Sequence, residues 1–169
     1  MSDTARGDER IVDLDHTHSD LLSKFPSRRL GEPWTAVVSE AIRADVARFL
    51  GNQFRGVGLF VGSELRAVAI WRVPSLYGYP PPPSSWEICY LASHSSHARQ
   101  GYAYRLKVEV LRRASAEGIQ RVISYVHWDN AAMLSLNDKL YARRSRIAGD
   151  DEFALCVCIV DECLHRLSF

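Results

Sequence analysis

The chain has 169 residues, 47 % of them hydrophobic, enough for one domain with a sizeable core. Its 21 Lys and Arg nearly balance 20 Asp and Glu, and the net charge of +1 lacks the basic footprint of a nucleic-acid binder. No apolar run is long enough to span a membrane, and the charged opening MSDTARGDERIVDLD has no signal-peptide core, so a cytoplasmic protein without membrane or nucleic-acid partners is expected.

RIVDLD (10–15) alternates apolar and polar residues and predicts a first strand. Polar HTHSD follows, then a short helix around 19–25 that Pro26 breaks. Glu32-Pro33-Trp34 opens a longer amphipathic helix, with Val37, Val38, Ala41, Ile42, Val46, Phe49 and Leu50 three and four residues apart and Gly51 as its stop. VGLFVG (57–62) and LRAVAIWRV (65–73) flank Gly62-Ser63-Glu64 and predict a hairpin. PSLYGYPPPPSS (74–85) cannot be a central strand, because prolines have no N–H to donate; it reads as a stiff, extended connection. WEICYLAS (86–93) is the next strand. Ala103, Leu106, Val110 and Ala114 then line one face of a helix from Gly101 to Glu117, with Gly118 ending it. RVISYVHW (121–128) reads as a buried strand, NAAMLSLNDKLY (130–141) as a helix and EFALCVCIV (152–160) as a closing strand. Without internal repeats or a linker, residues 1–169 form one domain of the α/β class, a mixed sheet with helices on both faces.

The four cysteines are Cys89, Cys156, Cys158 and Cys163. CVCIVDECLH gathers three of them with His165, but C-x-C within an alternating run fits two thiols on one strand face better than a zinc knuckle. Reduced, buried thiols and no metal are expected. The chain also lacks a P-loop, a G-x-G-x-x-G after an early strand and a G-x-S-x-G elbow. What remains is SHARQGYAYRL (96–106). There a glycine at the mouth of a helix leaves either a plain turn or an anion cradle of free N–H groups facing the positive end of the helix dipole.

ARQGYAYRL (98–106) resembles the pyrophosphate loop of the GNAT N-acetyltransferases, [Q/R]-x-x-G-x-[G/A] leading into a helix. Gly101 and Ala103 match; Ala98 stands where Gln or Arg is usual, and Arg99 beside it can supply the charge. VHWDNAAMLSLNDKLY (126–141) is similar to the family's V-x-x-x-N-x-x-[AM]-x-x-[LI]-[YN] segment. The resemblance implies a mostly antiparallel sheet splayed between two strands, with acetyl-CoA as acyl donor. The pyrophosphate would rest on the loop Ala98, Arg99, Gln100, Gly101, Tyr102, Ala103 and Tyr104. The pantetheine arm would pair with the backbone of Leu91, Ala92 and Ser93 and meet Asn130.

The same resemblance gives the catalytic expectations. Glu87, fourteen residues before Gly101, stands where histone-acetylating members carry a general base. A free alkylamine has a pKa of ~10 and is protonated at neutral pH, so a carboxylate that takes its proton makes it a nucleophile. Asn137 occupies the position of the family's general-acid tyrosine, beside the cofactor, and Tyr141, one turn on, is its candidate replacement. Tyr77, Tyr79 and Trp86 are expected to line the site of the acceptor, a small-molecule or protein amine. His94 and His97 are expected in solvent, Arg143–Arg146 as a solvated charged face, and the assembly as a monomer or homodimer. The alternative to an enzyme is a catalytically degenerate module of this fold that binds CoA or a protein partner.

Overall fold

The computed structural model describes residues 8–25, 50, 54–72 and 84–168. Tyr77, Tyr79 and, apart from Leu50, the amphipathic helix expected at 34–50 lie outside the described residues.

Seven strands make one open sheet: β1 (Glu9–Leu14), β2 (Phe54–Val61), β3 (Glu64–Arg72), β4 (Ser85–Ser93), β5 (Arg121–His127), β6 (Arg143–Ile147) and β7 (Asp150–Ile159). Their spatial order is β1-β2-β3-β4-β5-β7-β6, and every neighbouring pair is antiparallel except β4 and β5. The helices are α1 (Ser19–Ser23), α2 (Tyr102–Ala116), α3 (Ala131–Lys139) and α4 (Val160–Leu167). Among the described residues, no helix is long and apolar enough to cross a membrane.

The period of two along each strand sorts the core into two faces. On one, Ala67, Ala69, Trp71, Trp86 and Ile88 pack under Leu106, Val110, Leu111 and Ala114 of α2 and Val160 and Cys163 of α4. On the other, Val68, Ile70 and Tyr90 meet Leu22 of α1 together with Phe25, Leu50 and Phe54. Gly58 shows how tightly this second face is filled: a Cβ there would stand 2.7 Å from Leu65 Cδ1 and 3.2 Å from Leu14 Cδ2.

Two elements depart from the sequence reading. Arg143–Arg146 is exposed, as a solvated charged face should be, but it lies in the edge strand β6, which the sequence reading did not give. Arg143 pairs there with Glu162, Arg144 with Asp138 and Arg146 with Asp151, and such charges keep an open sheet edge from pairing with another chain. The closing strand ends at Ile159, and Val160, Cys163, Leu164 and Leu167 recur at helical spacing to form α4, whose first residue and Cys163 are buried. The CVCIVDECLH motif therefore straddles two elements, with Cys156 and Cys158 inside β7 and Cys163 in α4, all three buried and free of disulfides.

The feature that positions a site is the junction of β4 and β5. Their parallel ladder covers only Ser85↔Arg121, Trp86↔Val122 and Glu87↔Ile123. Beyond Glu87, β4 stays paired with β3 as far as Ser93, while β5 stays paired with β7 as far as His127. The sheet thus opens into a wedge at the carboxyl ends of its two parallel strands, where ligands of open sheets gather.

Candidate functional site

Glu87 sits at the throat of the wedge. It is the last β4 residue paired with β5, and Arg72 of β3 is its neighbour on the other side. Trp86 and Ile88 face α2, so the pleat turns Glu87 to the opposite face. Its side chain is buried, 2 % exposed, with Arg72 Nε 3.5 Å from Oε2. The Arg72 guanidinium also lies over the Phe54 ring, 5.4 Å from its centroid. A buried carboxylate is costly without a cation beside it, and Arg72 is the charge that offsets it here. Directly after it the register slips: Ile70 pairs with Tyr90 and Trp71 with Ile88, leaving Cys89 as a bulge residue. Burial, reinforced by the Glu87 charge, pushes the Cys89 thiol up to about 12.

The connection from β4 to α2 lies at the mouth of the wedge. Gly101 caps α2 at φ +80°, and Arg99 takes φ +66°, which costs a non-glycine residue about 1 kcal/mol. The first intrahelical bond runs from Arg105 N–H to the Gly101 carbonyl at 3.0 Å, so the N–H groups of Tyr102, Ala103 and Tyr104 point past the helix end. Among the described residues, nothing lies within 4 Å of where a Cβ on Gly101 would be. Glycine is therefore set there by its left-handed backbone, and the space before the N–H groups is open. Helix dipole, free N–H groups and open space together suit an anionic group such as a pyrophosphate.

Behind the loop, α2 carries a residue that the sequence reading passed over. Lys107 is 1 % exposed, and its Nζ donates to Oδ1 of Asn137, which is also 1 % exposed. Asn137 Nδ2 donates in turn to the Met133 carbonyl at 2.8 Å. Burial drives the lysine's pKa down, opposed by the nearby thiols of Cys158, Cys156 and Cys163. Asn137, expected beside the cofactor, thus spends both ends of its amide inside the protein. The signal for Lys107 was available, since it continues the stripe Ala103, Leu106, Val110 and Ala114 at spacings of four, three and seven residues.

The other predicted residues fall into place around this frame. Leu91, Ala92 and Ser93 form the free-running end of β4, half-buried along the wedge. Asn130 caps α3, its side-chain oxygen accepting from Met133 N–H at 3.1 Å. Ala98, Gln100 and Tyr102 belong to the turn before α2 and its first residue, and Tyr104 packs on the core. Trp86, expected at the acceptor, is 4 % exposed and stacked on Trp71 at 5.4 Å, with Arg55 over its ring; its pleat position puts it on the α2 face, across the sheet from Glu87. Tyr141 follows α3 at φ +58°, 48 % exposed, with its ring against the Arg166 guanidinium of α4.

No protein-family model matches the sequence, and no curated protein matches it significantly. Solved structures do. The chain is similar to a PaiA N-acetyltransferase from Thermoplasma acidophilum in complex with coenzyme A, at TM-score 0.69 and 15 % identity over 88 % of this chain and 97 % of that one. The GNAT domain of PAT from S. lividans matches at TM-score 0.65 and 18 % identity, over 88 % of this chain and 89 % of that one. The ribosomal-protein-S18-alanine N-acetyltransferase from Escherichia coli matches at TM-score 0.61 and 14 % identity, over 88 % and 91 %. The likeness runs over most of each chain: this chain has the fold of the GNAT N-acetyltransferases.

Proposed function

We propose that the chain is a single-domain N-acyltransferase that moves an acetyl group from acetyl-CoA to a primary amine. The observation that carries this reading is the wedge itself, a sheet that parts just past a buried glutamate and opens in front of a helix start with free N–H groups. A neighbour of the same fold holds coenzyme A, and others act on spermidine or a ribosomal protein, so small and protein amines are the acceptor class.

The residues present fit CoA. The N–H groups at 102–104, with Arg99 beside them, would receive the pyrophosphate. The backbone of Leu91–Ser93 on the β5 side, with no strand partner among the described residues, would pair with the pantetheine amides. Asn130, its oxygen committed to the cap, would offer Nδ2 as a donor. Acetyl-CoA supplies an acyl group activated as a thioester.

The Glu87 carboxylate faces away from α2, and the acceptor amine would enter on that side. Glu87 would take one proton from the acceptor ammonium, and acetyl-CoA would supply the thioester carbonyl that the freed amine nitrogen attacks; the C–N bond would form as the C–S bond breaks, and the nitrogen's second proton would pass to the departing thiolate, giving the amide and the CoA thiol. Backbone N–H groups of β4 stabilise the oxyanion. Direct attack fits Cys89 as well: with its thiol pushed up to about 12, it is a poor candidate for an acyl-cysteine intermediate.

Titration calorimetry with acetyl-CoA, followed by CoA-thiol release across a panel of spermidine, lysine peptides and peptides with free N-terminal alanine, tests the reading. Saturable binding with turnover of at least one amine is expected. Absence of binding at millimolar acetyl-CoA overturns it; binding without turnover on any amine overturns the enzyme in favour of a CoA-binding module.

A further inference from the structure

Three residues that the acyl-transfer reading does not use converge at the other end of the β4–α2 connection. Glu64 opens β3 after the Gly62-Ser63 turn. His94 follows β4 directly and is tied to β3 by its N–H, which donates to the Arg66 carbonyl at 2.7 Å. His97 ends the single 3-10 turn Ser95–His97, its N–H donating to the His94 carbonyl at 2.9 Å. These tethers aim both imidazoles at one carboxylate. Glu64 Oε1 lies 3.4 Å from His97 Nε2 and 3.9 Å from His94 Nε2, and the two rings are 5.4 Å apart.

We propose that Glu64, His94 and His97 form a binding site for a divalent transition metal of the zinc type. One ligand atom from each residue lies within 4.8 Å of the other two. A tetrahedral ion with bonds of about 2.0–2.1 Å sets its ligand atoms about 3.3 Å apart, so the 3.4 Å edge already matches and the 3.9 Å edge needs a small inward turn. Two imidazoles and a carboxylate are the donors that zinc and its neighbours favour, and they leave a fourth position for water. A hydrogen-bonded cluster accounts for the geometry less well. At 3.9 Å the His94 nitrogen is beyond hydrogen-bond reach of the oxygen it faces.

Two of the surrounding contacts are those a metal site needs, and one must change. Arg66 Nη2 holds Glu64 Oε2 at 2.9 Å, which leaves Oε1 turned to the histidines. The Gln100 amide nitrogen lies 3.5 Å from His97 Nδ1; a half-turn of the amide would bring its oxygen there to accept from Nδ1–H and leave Nε2 to the ion. His94 Nδ1 accepts from Ser96 N–H at 3.2 Å. Coordination through Nε2 requires the ring hydrogen on Nδ1, so metal binding displaces that contact and rearranges the 3-10 turn leading to Arg99. The ion would brace the β2–β3 turn against the approach to α2.

The test uses the full-length, untagged chain, stripped with EDTA and titrated with zinc by calorimetry and by competition with a chromogenic zinc indicator. One equivalent should bind, weakened at least tenfold by His94→Ala or His97→Ala and less by Glu64→Gln, with unchanged thermal unfolding of the metal-free variants. Cobalt(II) should give visible d–d bands without thiolate charge transfer. No stoichiometric binding, undiminished affinity in His97→Ala, or a thiolate band showing that Cys156, Cys158 or Cys163 is the ligand overturns the proposal. The readouts need no acetyl-CoA, so failure here and failure of the acyltransferase reading are separate results.

Discussion

Glu87→Gln removes a charge while preserving shape, and its consequences divide between folding and turnover. The guanidinium of Arg72 stands 3.5 Å from the carboxylate, which at an effective dielectric of 20 corresponds to about 5 kcal/mol of attraction, largely offset by the desolvation of both groups. The variant keeps the buried cation and loses its partner, so stability should fall by about 3 kcal/mol, within the margin of an ordinary domain. Turnover should fall by about 10²–10⁴ at neutral pH, the usual contribution of a positioned base, with acetyl-CoA affinity unchanged. The deficit should shrink with rising pH. At pH 7 fewer than about one alkylamine in a thousand is neutral, and each unit of pH raises that fraction about tenfold without any base. The assay is CoA-thiol release from pH 6 to 9 with the best acceptor of the panel, alongside urea unfolding; Arg72→Met combined with Glu87→Gln should restore stability without restoring activity. Full turnover of a folded Glu87→Gln protein across that range would refute the base assignment and the mechanism built on it.

Gly101→Ala meets no steric obstacle among the described residues, yet forces alanine to φ +80°; it should cost about 1 kcal/mol in urea unfolding and lower acetyl-CoA affinity about tenfold by turning the N–H groups of 102–104. Arg99→Gly relieves the strain at φ +66°, so stability should rise or hold while CoA affinity drops several-fold in a salt-dependent manner; unchanged affinity in calorimetry would leave the backbone alone holding the pyrophosphate. The folded-state pKa of Lys107 is depressed by burial below its ordinary 10.5, so the unfolded chain binds that proton more tightly and stability should rise with pH as the folded state sheds it. Lys107→Met should flatten the pH dependence of the urea midpoint below pH 10.5, and an unaltered slope would contradict the burial account.

Much of the fold was legible because local pattern and tertiary burial agree. The hairpin around Gly62, the strand at 86–93 and the helix stripe from Ala103 to Ala114 each show one period, and each is packed on the face that its period presents. The misses are places where pattern is ambiguous. Arg143–Arg146 looks like solvated charge because an edge strand exposed along its length carries no apolar alternation. Val160 was placed at the end of the closing strand because CVCIV runs apolar through the boundary, and the helix after it went unassigned, since only the recurrence of Cys163, Leu164 and Leu167 marks the change of period. The metal triad has no local pattern at all: Glu64 is thirty residues from His94, and only the pairing of β3 with β4 brings them together.

The site was legible as backbone and less so as side chains. A loop such as ARQGYAYRL records its conformation in a glycine, because only the left-handed backbone demands one, whereas partners across the core leave no mark in spacing. Asn137 illustrates the difference. Set against the family pattern, it looks like the loss of an acid. In the fold it is half of a buried pair, since Lys107 could not lie inside α2's packing face without an acceptor, and an asparagine one helix away provides it. The two residues, thirty positions apart, are therefore to be read together: replacing Asn137 by the expected tyrosine would strand a buried amine, not restore a catalyst. Departure from a motif is thus no measure of lost function until the partner that the departure serves has been found.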